Sequence, residues 1–141
     1  MNARVSRARG TPATMSNVAA KVAMGTRSAE LVFGKATGTR TLIGHAVIDL
    51  SGASITEERL LTLQLRRTNH TPVNVAHSAV SIKLGLNSGS GESTDIPVML
   101  PPCVYAMSGQ AGDTVALWAS LDDTAGITGN VTIREAQIAA L

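Results

Sequence analysis

In LLTLQLRR, residues 60–67, Leu61, Leu63 and Leu65 fall on one side of an extended chain, and Thr62, Gln64 and Arg66 fall on the other. This two-residue period marks a strand with one face in a core and the other outward. In AVSIKLGL, Val80, Ile82, Leu84 and Leu86 alternate with Ser81, Lys83 and Gly85 in the same way. Further strand-like runs are AELVFG (29–34), TLIGHAVIDL (41–50), DIPVML (95–100), CVYAM (103–107), DTVALWAS (113–120) and NVTIREAQIA (130–139). Between them lie GKATGT, LSGAS, LNSGSGESTD, MSGQAGD and LDDTAGITG, rich in the residues that make turns.

A helix competes at one place. In SITEERLL, residues 54–61, Ser54 precedes Glu57 by three positions, as in a capping box, and at most one helical turn is expected there. The pattern as a whole predicts about eight short antiparallel strands in an all-β sandwich of jelly-roll type, whose two sheets close their apolar faces on each other.

The N-terminal stretch MNARVSRARGTPATMSN reads differently. It is polar and small, with too little apolar content to fold alone, so residues 1–17 are expected to form an extended basic arm ordered only by a partner surface. The jelly-roll domain is then residues 18–141. Charge follows this division: residues 1–40 hold seven Lys and Arg against one acid, Glu30, and the remainder holds five against nine. Arg4, Arg7 and Arg9 suit the acidic surface of a neighbouring protein; phosphate contacts are the alternative, although no aromatic residue precedes Phe33 on which a base could stack. No apolar run of signal-peptide type follows the basic start and none approaches a membrane span, so neither export by that route nor a membrane partner is expected.

Composition limits the core and the chemistry. A chain of 141 residues is expected to form one domain with a substantial core, and with aromatics at 2% that core is built from Val, Ile, Leu, Ala and Met. Cys103 is the single cysteine, so no intrachain disulfide can form, and PPCVY offers the thiol no base. His45, His70 and His77 show no ligand spacing. Asp122 and Asp123 suit a turn better than a calcium loop, which needs more oxygens in a defined order. Neither G-x-S-x-G nor a P-loop occurs. No enzyme activity, cofactor or metal is expected. Trp118 shares a face with Thr114, Ala116 and Ser120, opposite Val115, Leu117 and Ala119; it is expected at a subunit contact, a sugar being the alternative partner.

The C-terminal third, from GDTVALWASLDD through NVTIREAQIAAL, resembles the last two strands of small jelly-roll domains of the tumour-necrosis-factor and complement-globular-head type. There, Gly-Asp opens an alternating strand and a Thr-Ile-type strand ends the domain; the aromatic-rich core of that group is absent here. Similar domains recur in phage decoration, fibre and tail proteins, usually as trimers. The resemblance implies a virion structural protein, a decoration, cement or fibre-like subunit that forms a homotrimer. Its arm would bind a major capsid or other virion protein. A small coat protein with a genome-contacting arm and a carbohydrate- or receptor-binding module are the alternatives.

Overall fold

The computed structural model describes residues 4–8, 13–24, 27–86 and 95–141. In chain order the strands are β1 (Arg4–Ala8), β2 (Ala13–Thr14), β3 (Ala20–Lys21), β4 (Ala23–Met24), β5 (Arg27–Ser28), β6 (Glu30–Val32), β7 (Thr39–Asp49) and β8 (Ala53–Ile55). They continue with β9 (Arg59–Arg67), β10 (Val73–Asn74), β11 (Val80–Leu84), β12 (Asp95–Met99), β13 (Cys103–Ala106), β14 (Thr114–Leu121), β15 (Ile127–Gly129) and β16 (Thr132–Ala140).

Two antiparallel sheets carry the sandwich. The first runs β1-β16-β7-β12, with β2 also on β16 and β13 also on β7. The second runs β10-β9-β14-β3, with β11 also on β9 and β6 also on β14. Each sheet therefore has four rows, its outer rows broken into two segments, and the chain alternates between the sheets as a jelly roll does. β8 and β15 form a small ribbon at one end.

Alternation sets the core. Leu61, Leu63 and Leu65 of β9 face inward and are fully buried, as are Val115 and Leu117 of β14, Leu42, Ala46 and Ile48 of β7, and Ile133 and Ile138 of β16. Aliphatic burial of this kind stabilises by about 1.5–3 kcal/mol per large side chain, so the shortage of aromatics is no obstacle to a core. Pro97 stands opposite Val47 on the outer row of the first sheet, where the missing N–H of proline blunts further strand addition.

Four details differ from the sequence reading or go beyond it. SITEERLL forms no helix: Ser54 pairs with Thr128 in the β8–β15 ribbon, and Ile55 is fully buried. Tertiary pairing wins there over a local cap. The β11 alternation ends at Leu84, leaving Leu86 67% exposed. Cys103 is buried, and desolvation pushes its thiol above its usual range. Finally, Arg4–Ala8 lies antiparallel against β16 of the same chain, register Arg4↔Ala140 to Ala8↔Ala136.

Candidate binding surfaces

β1 closes one edge of the sandwich by bonding to both sheets. Beyond its ladder with β16, Arg4 Nη1 donates to the carbonyl of Val32 at 2.5 Å, and the amide of Glu30 donates to Ser6 Oγ at 2.9 Å. Arg4 is thus engaged with β6, whereas Arg7, opposite Gln137, is exposed. Arg9 lies outside the described residues.

Part of the outer face of the first sheet is apolar. Because Leu42, Ala46 and Ile48 point inward, Ile43, His45 and Val47 point outward, and the register places Ala139 beside Ile43, Val5 beside Ala139, and Met99 beside His45. Val104, opposite Thr41, joins the same face. Met99 and Val104 are 61% and 65% exposed, and Val5 and Leu141 are each 51% exposed. A groove of about 240 Å³ runs through the face, lined by Ile43, Gly44, His45, Met99, Gln137 and Ala139.

Trp118 stands on the outer face of the second sheet, half-buried, in register with Gln64 on one side and Lys21 on the other. Leu117 and Ala119, its chain neighbours, turn into the core as alternation requires. Arg66 lies over the indole with its guanidinium carbon 4.9 Å from the ring centroid. A groove of about 130 Å³ beside them is lined by Thr62, Gln64, Asn74, Ser120 and the two residues themselves, with Ala19 and Ala119. The Nε of Arg66 and the Nε1 of Trp118 are both sealed from solvent, and among the described residues neither has an acceptor. A cation–π contact contributes roughly 0.5–1 kcal/mol at exposed sites, whereas a buried unpaired N–H costs about 1–3 kcal/mol. The cost of two such donors is of the same order as the gain from the stack or larger. Neither Arg4 nor Arg7 lines this groove, so these expected partner-binding residues do not form one site.

Sequence reasoning missed a third cluster. Asp113 is fully buried and accepts hydrogen bonds from the hydroxyls of Tyr105 and Ser108 and, at 2.8 Å, from the Ser108 amide. Burial by itself raises its pKa; the bonds from Ser108 and Tyr105 and the charge of Arg67 outweigh that and hold the carboxyl below its ordinary value. Desolvation, reinforced by the bond to Asp113, pushes Tyr105 up to about 12. Tyr105 also stacks on Phe33, centroids 5.6 Å apart. His70 Nε2 is 3.1 Å from the Ala111 carbonyl and 3.6 Å from Asp113 Oδ1. Ser108 bonds the carboxylate directly, with no imidazole between them, so the trio lacks the Ser–His–Asp relay that activates a nucleophile. The cluster ties the β13–β14 turn to β13, and the Gly-Asp that opens the β14 run was its sequence signal. Asp122 and Asp123 likewise serve turns: Asp122 Oδ1 accepts from the amides of Leu60 and Asp123, and Asp123 Oδ1 from that of Ala125.

The fold is an all-β antiparallel sandwich of jelly-roll type. Among solved structures, the chain is similar over its full length to a chain of the infectious bursal disease virus Gx strain, with a TM-score of 0.58 and 15% identity. It is also similar to a chain of the T13 particle of the same virus, covering 99% of this chain with a TM-score of 0.53 and 13% identity. It spans about a third of those viral chains, 32% and 31% respectively. The globular domain of zebrafish complement 1qA matches at a TM-score of 0.50 and 16% identity, over 98% of this chain and 92% of that domain. No family model and no curated protein matches the sequence.

Proposed function

We propose that the protein is a non-enzymatic structural subunit of a virus particle, a capsid decoration, cement or fibre-like protein that associates with itself as a trimer. The observation that carries this reading is the outer face of the first sheet, where Val5, Met99 and Val104 are exposed beside the half-buried Ile43, with Thr41, His45 and Gln137 among them. Contiguous exposed apolar surface is rare on monomers and marks association, and closed symmetric assembly buries the same patch on every copy. The likeness to viral chains supports a place in a virion; that likeness is one of fold.

In this reading the N-terminal segment is the grip, with Arg7 exposed to an acidic neighbour in the shell and Arg4 securing the segment to Val32. Residues 18–141, with β1 and β2 laid against β16, form the repeated body. The test is native mass and light scattering at micromolar concentration. The wild type is expected as a trimer, and Met99→Asp with Val104→Asp as a monomer with unchanged far-ultraviolet circular dichroism. A wild type that is monomeric at every concentration overturns the reading. Tight nucleic-acid binding by the free protein that falls steeply with salt would move the assignment to a genome-contacting coat protein.

A further inference from the structure

We infer that the Trp118–Arg66 groove is a binding site for the carboxylate-bearing ring of an acidic sugar, such as a uronic acid. This goes beyond the assembly role and does not rest on it, since the groove lies on the second sheet and the apolar face on the first. Three features point to that ligand. The chain's one tryptophan, in a sequence with 2% aromatics, is placed on an outer face instead of in the core. The unmet polar groups there, Arg66 Nε–H and Trp118 Nε1–H, are both donors, so the occupant must bring acceptors. Arg66 has no carboxylate among its ion-pair partners in the described residues, while nearby Lys21 is already held by Glu30 at 3.1 Å. An anionic acceptor is therefore favoured over a neutral one.

The surrounding side chains select a sugar over an acidic peptide. Gln64 and Asn74 each donate and accept, as the hydroxyls of a pyranose require, and Thr62 and Ser120 add two hydroxyls to the rim. An acidic peptide would favour further cations instead. Both donors are sealed from solvent while Arg66 lies over the indole, so binding requires Arg66 to move. When it swings off the indole it uncovers the ring face for the apolar side of a pyranose, and its Nε–H and terminal N–H groups can take the carboxylate side-on while Trp118 Nε1–H takes a ring or hydroxyl oxygen.

Because Trp118 is the only tryptophan, its fluorescence in the full chain reports this groove alone. Titration with a galacturonic-acid trisaccharide should give a saturable change with a Kd in the range of about 10 μM to 1 mM, and the neutral galactose trisaccharide should bind at least about tenfold more weakly. Arg66→Gln retains the fluorophore and should abolish the response. Arg66→Lys keeps the charge but not the planar fork and should weaken binding by about tenfold or more. If either variant misfolds by circular dichroism, Asn74→Ala, at the rim, serves in its place and should weaken binding severalfold. The inference is overturned by no saturable response to the acidic sugar, by equal binding of the neutral one, or by tighter binding of a hexaglutamate peptide.

Discussion

Tyr105→Phe isolates one bond of the buried Asp113 cluster. The substitution keeps the stack on Phe33 and removes only the hydroxyl that Asp113 accepts. A hydrogen bond to a charged, buried acceptor contributes about 1.5–3 kcal/mol, and that is the expected loss at pH 7. Asp113→Ala removes three accepted bonds and strands the Tyr105 hydroxyl, which at 3% exposure cannot turn to water, so about 3–5 kcal/mol is expected. The two losses should not add, because they share a bond; a coupling of about 1–3 kcal/mol is expected from the double variant.

The pH dependence follows from the same cluster. Asp113 has a folded pKa below its unfolded value, so its contribution is present above about pH 4 and disappears as pH falls through the folded value. Tyr105 is raised to about 12, so its contribution is intact below the unfolded value and disappears as pH rises toward the folded one. That window of roughly two units corresponds to about 2–3 kcal/mol. Urea unfolding followed by Trp118 fluorescence at pH 3, 7, 10 and 12 checks both limbs. A Tyr105→Phe protein within about 0.5 kcal/mol of wild type at pH 7, or one that keeps the full alkaline loss, would refute the reasoning.

Other expectations are more local. Leu63→Ala should destabilise by about 2–5 kcal/mol and Gln64→Ala by about half a kcal/mol or less, a comparison by urea unfolding that tests which face of β9 lies in the core. Gly129→Ala should be far more damaging than Gly38→Ala by thermal melting: both have positive φ, but a Cβ at 129 would sit 2.2 Å from the Gly52 carbonyl oxygen, whereas one at 38 meets nothing within 4 Å. Removing residues 1–8 should speed amide exchange along β16, measured by mass spectrometry, because the deletion turns β16 into an open edge. Unchanged exchange there would show that the segment contributes nothing to the sheet.

The long strands were legible from sequence because each carries enough alternating Leu, Val and Ile to state its own inward face: β7, β9, β14 and β16 appear where the pattern puts them, and so do the outward orientation of Trp118 and the jelly-roll class. What the sequence left open was set by pairing between distant segments. β1, β2, β3, β8 and β15 are too short to state a face by alternation, and become strands only because β16, β14 or each other supply the other half of a ladder. Local patterning is silent on such bonds, and so a capping box was expected at Ser54. The same holds for the sites. Tyr105, Ser108 and Asp113 each read as ordinary strand or turn residues until the fold buries a carboxylate among three donors. Arg66 is one more outward arginine in LLTLQLRR until β9 pairs with β14 and lays it across the tryptophan. One-sided burial is written along a single strand, but the meeting of side chains from different strands depends on register and sheet order, which only the folded chain decides.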